Sequence, residues 1–589
     1  MAGPMLPDGP FVLLDDARPG GAPARLYAEP VRIVEARNVG EVRPALGALR
    51  AARGQGLHAA GFLAYGAGPA FEPAVPDRPG DGPLLWFGLF ERYREVDAPA
   101  LLPDPAGAWA GEVEPCVDFG TYADAFAAVQ ELIRAGDLYQ ANLSFRARLP
   151  VAGDPLGLYA ALRRRAGAGW GAVVATGELT LLSFSPELFF ALDGRRLACR
   201  PMKGTARRGP TPAADRAAAE ALASDAKQRA ENLMIVDLIR NDLSRVAAPG
   251  SVEALELFTV ETYPTVHQMV SGVEAELADG RDALDVLEAA FPCGSVTGAP
   301  KVRAMQALAA IEAGPPRGVY TGSIGRLDAD GSAQFNVAIR TLELRGGEAL
   351  VGLGSGVVAD SRVDAEWDEC LAKAAFLRAG RRRFDLVETM AFDPDEGFPL
   401  LERHLERLKA SAARFGFHFD RHGARNELQA ATFRLRAPAR VRLLLAPGGA
   451  LSIEVGPMPS SPETAEAAVA PLPVDPSDFR LAHKTTDRGF YDRARSAAGT
   501  WEVVFERADG LLTEGSFTSL FVRRDGRLVT PPLARGLLPG VLRAYLLGGG
   551  EAVEGDLTRA DLADGFLLGN ALRGLTPARL AVAPPRPAG

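Results

Sequence analysis

The amino-acid sequence predicts a protein of at least two domains, each containing both strands and helices. The chain has 589 residues, which is more than one hydrophobic core normally organises. Short apolar runs typical of strands alternate with stretches of helical periodicity along its length. A basic, turn-prone run lies between Arg378 and Arg383, and we place the domain boundary there, which gives domains 1–380 and 381–589.

Composition and charge exclude several classes of protein. The chain is 47% hydrophobic and 24% charged, which is ordinary for a globular protein, and its formal net charge of -9 lacks the basic footprint of a nucleic-acid binder. No apolar run has membrane-spanning length, and the N-terminus lacks the pattern of a signal peptide. The four cysteines are far apart and have no zinc-site spacing. We therefore expect a reduced, cytoplasmic protein with neither nucleic-acid nor membrane partners.

Lys203 is the residue around which the first half is organised. It lies between Pro201 and Gly204, directly after a strand-like segment, and the basic pair Arg207-Arg208 follows. Cationic neighbours and burial both disfavour the charged form of a lysine, and a partly neutral lysine is a nucleophile. On the pentapeptide alone, a solvated or anion-binding loop lysine is the favoured interpretation.

Two further residues of the first half stand at strand positions where a polar side chain is unusual. Glu187 enters an apolar strand in SPELFF, where burial would raise its pKa and suit it to act as an acid, although a rim position is the simpler interpretation. Arg340 ends another apolar strand and indicates anion binding.

Three carboxylates and a lysine lie on predicted helices. Glu231 lies among the polar positions of a helix whose apolar side is predicted to contain Leu233, Val236, Ile239 and Leu243. On a later helix Glu366, Glu369 and Lys373 share one face, because they are spaced by three and four residues. Solvated side chains and a surface ion-pair row are the alternative interpretations.

Loops and turns provide two candidate anion sites. The glycine-rich run FPCGSVTGAPKVRAMQAL leads into a helix, whose first N–H groups favour an anion. It is not a Walker A loop, and we interpret Cys293 within it as structural. In the second half, GLLTEGSFTSLFV predicts a strand hairpin carrying Glu514, and Pro539-Gly540-Val541 predicts a helix start.

From about residue 10 to 378 the chain resembles the chorismate-utilising enzymes, the family of anthranilate synthase component I and aminodeoxychorismate synthase component I. The resemblance implies an α+β fold, a sandwich of antiparallel sheets with outer helices and the active site between the sheets. The motifs that carry it are GDLYQANLS, SPELF, RPMKGT, AENLMIVDLIRNDLSRV, FPCGSVTGAPKVRAM, RGVYTGSIG, AIRT, GLGSGVVADS and AEWDECLAKA.

The resemblance implies chorismate as the substrate and Mg²⁺ as a cofactor, with Glu231 and Glu369 as metal ligands. It implies Glu187 as the general acid/base at the departing C4 hydroxyl. Gln140 stands where water-adding relatives have a lysine base. The remaining residues expected to contact substrate are Thr205, Tyr320, Arg340, Gly354, Ser355, Gly356 and Lys373.

Lys203 separates two members of this family. Anthranilate synthases carry alanine at this position, whereas aminodeoxychorismate synthases carry lysine. The implied chemistry is attack of the Lys203 amine on C2 of chorismate, loss of the C4 hydroxyl, and displacement of the lysine by ammonia at C4. No glutamine amidotransferase domain is evident, so a separate glutaminase subunit or free ammonia is expected. One departure from many relatives is Gln268, which replaces a histidine and follows His267.

From about residue 384 to 582 the chain resembles class IV pyridoxal-phosphate enzymes, which have an α+β fold and include branched-chain aminotransferases and 4-amino-4-deoxychorismate lyase. The resemblance implies that Lys484 binds pyridoxal 5'-phosphate and moves a proton, and that Glu514 pairs with the pyridine nitrogen. Arg407 and the N–H groups of Val541 and Leu542 would hold the phosphate. The motifs are LLERHLERLKASA, HKTTDRGFYD, LLTEGSFTSLFV, TPPLARGLLPGVLR and NALRGLTPARL.

Thr389 and Arg573 are the further candidates for substrate contact in this half, and Ser519 replaces the usual asparagine of the strand motif. The fusion favours a bifunctional enzyme that makes 4-aminobenzoate, the second half being the lyase that eliminates pyruvate. The alternatives are an amino-acid aminotransferase in the second half, anthranilate synthase activity in the first, or a non-catalytic second half. The resemblance also allows for a homodimer through the C-terminal domain.

Overall fold

The computed structural model describes residues 6–7, 9–263, 266–380 and 382–581. The chain divides into two compact units. The first comprises Met1–Pro103, Glu112–Leu149 and Leu158–Gly380, and the second comprises Asp104–Gly111, Pro150–Gly157 and Arg381–Gly589. Two short segments of the predicted first domain therefore pack in the second unit. Arg381, within the basic run at the predicted boundary, lies outside the described residues.

The strands up to residue 380 are short, and most pair with sequence-distant partners. In chain order they are β1 (Phe11–Asp15), β2 (Ala24–Ala28), β3 (Arg32–Ala36), β4 (His58–Leu63), β5 (Leu85–Phe90), β6 (Arg94–Val96), β7 (Trp109–Ala110), β8 (Glu114–Pro115), β9 (Gln140–Ala152), β10 (Trp170–Ala175), β11 (Thr180–Ser185), β12 (Leu188–Asp193), β13 (Arg196–Arg200), β14 (Met202–Arg207), β15 (Glu253–Thr262), β16 (Val266–Glu276), β17 (Gly298–Ala299), β18 (Ser323–Leu327), β19 (Ala333–Asn336), β20 (Thr341–Arg345) and β21 (Glu348–Val357).

The helices of the same part of the chain are α1 (Val39–Gly54), α2 (Ala98–Leu101), α3 (Phe119–Arg134), α4 (Pro155–Ala166), α5 (Pro212–Ser224), α6 (Ala226–Ser244), α7 (Ala283–Ala290), α8 (Lys301–Ile311) and α9 (Val363–Lys373). Short 3-10 turns lie at Tyr65–Ala70, Pro105–Gly107, Gly294–Val296 and Ala375–Gly380. Across the described residues of both units, none of the helices combines the length and apolar character needed to cross a membrane.

Two antiparallel sheets form the first unit. Sheet A has the strand order β17-β9-β21-β20-β11-β10-β1-β2-β6, and sheet B has the order β14-β16-β13-β12-β19-β18-β4-β5-β3, with β15 also on β16. Buried side chains of sheet A, such as Val12 and Tyr27, pack with Phe62 and Trp86 of sheet B, whereas α1, α6 and α7 cover the other face of sheet B. This arrangement confirms the predicted α+β class and its antiparallel sheets.

Within the described residues from 382 onward, the second unit contains two sheets and five α-helices. Strands β22, β23 and β24 form a small antiparallel sheet, and the larger sheet has the order β27-β26-β25-β32-β31-β28-β29-β30 with some parallel pairs. The strands are β22 (Leu386–Phe392), β23 (Ala439–Leu445), β24 (Leu451–Pro457), β25 (Ala465–Pro471), β26 (Glu502–Glu506), β27 (Leu512–Gly515), β28 (Ser519–Arg524), β29 (Arg527–Thr530), β30 (Ala552–Glu554), β31 (Phe566–Asn570) and β32 (Gly574–Leu580). The helices are α10 (Leu401–Phe415), α11 (Arg421–Thr432), α12 (Phe479–Ala482), α13 (Gly489–Ala498) and α14 (Val541–Gly548), with 3-10 turns at Leu533–Arg535 and Arg559–Leu562.

Helix α6 begins after Asp225, whose side chain caps the N-terminus by accepting a hydrogen bond from the Gln228 N–H at 3.0 Å. The predicted apolar side is wrong at Leu233, which is 43% exposed. Asn232 is fully buried instead, and its side-chain amide accepts a hydrogen bond from Ser271 of β16. A polar contact to sheet B therefore sets the rotation of the helix at this turn.

The predicted hairpin around Glu514 is wrong. Strand β27 pairs with β26, and β28 pairs with β31 and β29, so the two strands are not neighbours. The residues between them wrap around the buried carboxylate of Glu502, which accepts hydrogen bonds from the N–H groups of Ser516 and Phe517 and the hydroxyl of Thr518. This buried acceptor, which the local pattern does not show, turns the chain away from a hairpin.

Trp109 anchors the segment Asp104–Gly111 in the second unit. It is 5% exposed, and its ring centroid lies 4.9 Å from that of Phe415 and 6.4 Å from that of Phe384. The aromatic contact explains why a segment far from the rest of this unit in sequence packs within its core.

We predict that Trp109→Ala will destabilise the second unit by about 3–5 kcal/mol, the usual cost of truncating a buried aromatic side chain. Hydrogen–deuterium exchange should accelerate in peptides that cover β22 and α10. The control is Phe433→Ala, because Phe433 is 76% exposed and its removal should cost less than about 0.5 kcal/mol. Equal exchange in the two variants would contradict the proposed anchoring.

Candidate active sites

The first candidate site is a cavity of about 300 Å³ between sheets A and B. Strands β14 and β21 and helices α6 and α9 all contribute to its wall. The sequence-predicted residues that line it are Glu187, Lys203, Thr205, Glu231, Tyr320, Arg340, Gly354, Gly356, Glu369 and Lys373. Gln140 and Ser355 are not among the lining residues.

Strand β21 makes room for the site by having glycine at alternate positions on one face. A Cβ atom at Gly352 would lie 1.9 Å from Cγ of Tyr320, and a Cβ atom at Gly356 would lie 2.3 Å from Nζ of Lys203. Both distances are far shorter than any contact between real atoms. Tyr320 and Lys203 can therefore lie against this strand only because these positions carry no side chain.

The two predicted residues outside the cavity lie on opposite sides of β21: Gln140 is on the glycine face beside Gly356, and Ser355 is on the other face. Gln140 is fully buried, its Nε2 lies 3.1 Å from a Cβ atom placed at Gly356, and its amide atoms have no hydrogen-bond partner among the described residues. Ser355 alternates with the glycines, so its side chain points to the other face of β21, where its hydroxyl lies 3.5 Å from that of Tyr122.

Lys203 is largely buried, and its Nζ lies 4.0 Å from Oε2 of Glu231. Burial lowers the pKa of Lys203 below its ordinary value; Glu231 opposes this shift, and the positive charge of Lys373 adds to it. The relevant cation thus comes from α9. Arg208, which the sequence indicated as a cationic neighbour, is instead paired with Asp215 at 2.6 Å.

Glu187 is 3% exposed and accepts a hydrogen bond from the hydroxyl of Ser295 at 2.7 Å. Burial raises the pKa of Glu187 to about 7, although Ser295, the N–H of Met202 and the charge of Lys203 act in the opposite direction. A carboxyl group with this pKa can both donate and accept a proton near neutral pH.

Glu231 and Glu369 come from different helices and line the same cavity. Burial raises the pKa of Glu231. Partial burial also raises the pKa of Glu369, but Lys373, whose Nζ lies 2.7 Å from Oε1 of Glu369, lowers it below the ordinary value overall. The described residues contain no group of three or more side chains positioned to hold a metal ion. Two carboxylates on facing walls nevertheless fit a magnesium ion that completes its shell with water and substrate oxygens.

Arg340 provides a cationic end to the cavity. It has a left-handed backbone conformation, with a φ of 50°, and its guanidinium has no carboxylate partner within 4 Å among the described residues. Burial lowers the pKa of Arg340, which an anion would reverse. The hydroxyl-bearing ring of Tyr320 lines the same cavity.

Gln268, the departure noted in the sequence, faces the cavity and accepts a hydrogen bond from the Thr205 hydroxyl at 2.9 Å. The neighbouring His267 is buried on the other side of β16, where its ring contacts Asp215 at 2.9 Å and Thr262 at 3.0 Å. Because successive side chains of a strand point to opposite faces, Gln268 faces the cavity and His267 does not.

Sequence reasoning missed Ser295, Gly352 and Lys227 as cavity residues. Ser295 lies in the glycine-rich loop that was predicted to bind an anion at a helix start, and its observed partner is the carboxyl group of Glu187. The role of Gly352 could have been inferred from the sequence, because glycines alternate in GLGSG and therefore lie on one face of the strand. Nothing in the local pattern indicated Lys227, whose Nζ lies 2.8 Å from Asp360.

The second candidate site is a cavity of about 430 Å³ in the second unit. The structure brings together all the residues predicted for it, namely Thr389, Arg407, Lys484, Glu514, Val541, Leu542 and Arg573. Nζ of Lys484 donates a hydrogen bond to the Thr389 hydroxyl at 2.9 Å. Burial lowers the pKa of Lys484 to about 7, although Glu388 opposes the shift. A largely neutral amine in this position can attack a carbonyl carbon.

Glu514 accepts hydrogen bonds from the Tyr491 hydroxyl at 2.7 Å and from Nη2 of Arg488 at 3.2 Å. Burial raises the pKa of Glu514, and these two partners oppose the shift. The buried carboxylate and the buried amine of Lys484 line one cavity, an arrangement that fits pyridoxal phosphate, which needs a lysine at its aldehyde and an acid at its pyridine nitrogen.

Arg407 lies near the start of α14, where its Nη1 donates to the carbonyl of Pro539 at 3.1 Å. Its Nε and Nη2 form a bidentate pair with Glu388 at 2.8 and 2.7 Å. Nδ1 of His404 lies 2.6 Å from the same carboxylate, and the sequence analysis missed both His404 and Glu388. Burial raises the pKa of Glu388, but Arg407 and His404 lower it to about 2 overall, so this carboxylate holds Arg407 in place.

Ser519, the first residue of β28, lies beside the N-terminus of α14. A Cβ atom at Gly540, the residue that precedes α14, would lie 2.5 Å from the Ser519 hydroxyl oxygen. The glycine therefore lets this hydroxyl lie beside the free N–H groups of Val541 and Leu542. A hydroxyl and two N–H groups together fit the phosphate of the cofactor.

Comparison with known proteins assigns the class. Residues 13–379 match the family of chorismate binding enzymes, and residues 385–581 match class IV of the amino-transferases. The protein belongs to the chorismate binding enzyme family and carries a class IV aminotransferase domain after it.

The relatives include more than one activity. Aminodeoxychorismate synthase component 1 of Salmonella typhimurium is 43% identical over 45% of this chain and 58% of its own length. Anthranilate synthase component 1 of Aquifex aeolicus is 41% identical over 44% of this chain and 52% of its own length. The chain thus matches a little over half the length of these relatives. The crystal structure of anthranilate synthase component I from Streptococcus pneumoniae covers 63% of this chain and 93% of its own, with 25% identity and a TM-score of 0.53.

We predict that the pKa of Lys203 responds to its two charged neighbours in opposite directions. Glu231→Gln should lower the pKa further because it removes an anion, and Lys373→Met should raise it because it removes a cation. The measurement is the pH dependence of Lys203 acylation, followed by peptide mass spectrometry in metal-free buffer. Lys409, an exposed lysine of the second unit, is the internal control. A shift of the same sign in both variants would contradict the assignment.

Proposed function

We propose that the protein makes 4-aminobenzoate in two steps. The first unit converts chorismate and ammonia to 4-amino-4-deoxychorismate, and the second unit eliminates pyruvate from that product. The observation that carries the first step is Lys203, a lysine of lowered pKa in the same cavity as a carboxyl group of raised pKa.

Lys203 is also what favours this activity over anthranilate synthesis. Sequence identity does not distinguish the two activities, because the relatives named for them match this chain almost equally, at 43% and 41%. The nucleophile in the cavity does distinguish them. Anthranilate formation needs no covalent bond to the enzyme, and anthranilate synthases carry alanine where this chain has lysine.

In the first half-reaction the neutral amine of Lys203 attacks C2 of chorismate. A C–N bond forms at C2, both ring double bonds shift toward C4, and the C4–O bond breaks, which leaves the lysine nitrogen as a secondary ammonium. Glu187 donates its proton to the departing hydroxyl, which leaves as water. The pKa of about 7 at Glu187 means that about half of the enzyme holds this proton at neutral pH.

In the second half-reaction ammonia attacks C4, both ring double bonds shift back, and the C2–N bond breaks to release Lys203 as an amine. The ionised Glu187 takes the proton that ammonia loses, which restores the starting state of both residues. The neutral amide of Gln140, which lies beside Gly356 on the same face as Lys203, offers no base that would activate water in place of ammonia.

Substrate binding in this cavity would rely on both cationic and anionic side chains of its lining. Arg340, with the Tyr320 hydroxyl, would bind one carboxylate of chorismate. Glu231 and Glu369 would hold Mg²⁺, which when bound supplies positive charge to the other carboxylate. Lys373 donates a hydrogen bond to the Gly354 carbonyl at 2.7 Å, so it fixes α9 against β21 and adds to the positive potential.

In the second unit, pyridoxal phosphate when bound supplies an electron sink for breaking a bond next to the amine-bearing carbon. Arg407, Ser519 and the N–H groups of Val541 and Leu542 would hold its phosphate. Glu514 would keep its pyridine nitrogen protonated. The amine of Lys484, with a pKa of about 7, can take the proton from C4. As the C3–O bond breaks and the ring becomes aromatic, Lys484 can return that proton to the departing enolpyruvate, which leaves as pyruvate.

The ammonia supply completes the proposal. The relatives named component 1 imply a second component in those organisms. A separate glutaminase subunit is therefore proposed as the natural ammonia source, and ammonium salts should replace it in the test tube.

We predict that the protein converts chorismate to 4-aminobenzoate and pyruvate when supplied with ammonium, Mg²⁺ and pyridoxal phosphate. Without pyridoxal phosphate, 4-amino-4-deoxychorismate should accumulate. Lys203→Ala should abolish its formation or divert the reaction to anthranilate, and Lys484→Ala should block only pyruvate release. The products are separated by liquid chromatography.

Anthranilate as the sole aromatic product of the native protein would contradict the first step. Transfer of an amino group from an amino acid to 2-oxoglutarate, with no pyruvate released from 4-amino-4-deoxychorismate, would instead make the second unit an aminotransferase.

A further inference from the structure

The cavity of the second unit contains a group of arginines that the cofactor does not account for. Arg407 is held by Glu388, and Arg488 is paired with Glu514. Four more line the cavity, namely Arg440, Arg442, Arg495 and Arg573.

Two of these four have their own carboxylate partners. Arg442 pairs with Glu454 at 2.7 Å, and Arg495 pairs with Asp492 at 2.9 Å. Arg440 and Arg573 have no carboxylate within 4 Å among the described residues. The cavity therefore contains two uncompensated guanidinium groups besides those committed to Glu388 and Glu514.

Arg573 is held in a fixed orientation by aromatic rings. Its guanidinium lies 5.1 Å from the ring centroid of Phe517 and 5.9 Å from that of Trp501. The guanidinium of Arg495 also lies 5.1 Å from the Phe517 ring. The aromatic rings orient the guanidinium groups of Arg495 and Arg573 but do not neutralise their positive charge.

The surroundings of Arg573 disfavour its charge unless an anion is bound. Burial lowers its pKa, and Arg440 and Arg495 add to this shift, whereas Glu502 opposes it. Glu502 cannot serve as the direct partner, because its oxygens already accept hydrogen bonds from the turn that follows β27. Nε of Arg573 is buried and has no hydrogen-bond partner among the described residues.

We propose that Arg440 and Arg573 select a substrate that carries two carboxylates. This inference rests on the proposed function of the second unit, because 4-amino-4-deoxychorismate carries one carboxylate on the ring and one on the enolpyruvyl group. A substrate with a single carboxylate leaves one of these partly buried guanidinium groups unpaired, which costs free energy. The two arginines thus discriminate between a lyase substrate and monocarboxylate amino acids.

The test measures binding to the pyridoxal-phosphate-loaded protein through the shift of the cofactor's visible absorbance band, which reports on the second unit alone. The probes are 3-(1-carboxyvinyloxy)benzoate, which carries both carboxylates and no amine, and benzoate, which carries one carboxylate. Because a hydrogen bond to a charged group is worth about 1.5–3 kcal/mol, the first probe should bind at least about tenfold more tightly.

Arg573→Met and Arg440→Met should each remove this preference while leaving the affinity for benzoate within about threefold. Arg573→Lys, which keeps the charge but not the planar fork, should retain part of the preference. The matched control is Arg527→Met, an exposed arginine in β29. Calorimetric titration of the same variants provides a second measurement if a substitution weakens the cofactor band.

Equal affinities of the native protein for the two probes would overturn the inference, as would an unchanged preference in both methionine variants. The outcome is separate from that of the proposed function. If the preference depends on the arginines but no pyruvate is released, the lyase step fails and the recognition of two carboxylates remains. If pyruvate is released and the preference is absent, only the arginine inference fails.

Discussion

The close approach of Lys203 to strand β21 is the constraint on which the first site depends. Nζ of Lys203 lies where a side chain of Gly356 would be, and the Tyr320 ring lies where one of Gly352 would be. The glycines thus let two functional side chains share one wall of a narrow cavity. Every other feature of this site follows from that proximity, since Glu231 and Lys373 act on an amine that β21 holds between them.

Both cavities use the same physical device, a lysine of lowered pKa together with a glutamate of raised pKa. Burial is the main cause of each of these shifts, and nearby charges adjust their size. In our proposal Lys203 and Glu187 exchange a substrate hydroxyl for an amine. Lys484 and Glu514 differ in their surroundings, because four further arginines line their cavity. We propose that this difference in surrounding charge contributes to the different chemistry of the two cavities.

The fold class and the residues with proposed catalytic roles in both cavities could be predicted from the sequence, because Glu187, Lys203 and Lys484 lie in motifs that indicate both a fold and a role. Features that depend on contacts between residues distant in sequence could not be predicted. The Glu502 carboxylate that prevents a hairpin at Glu514, and the Asn232–Ser271 hydrogen bond that leaves Leu233 exposed, have no local signature. The cation beside Lys203 was expected from its sequence neighbours and comes instead from Lys373 on α9, which is distant in sequence.

The most direct test of the central claim is to look for the covalent bond to Lys203. The protein is incubated with chorismate and Mg²⁺ in the absence of ammonia, quenched in acid, digested and analysed by tandem mass spectrometry. Our account predicts that the peptide containing Lys203 gains the mass of chorismate less one water, and that ammonium added before the quench removes it. An unmodified Lys203 peptide, in protein that still forms 4-amino-4-deoxychorismate when ammonium is supplied, would contradict the account.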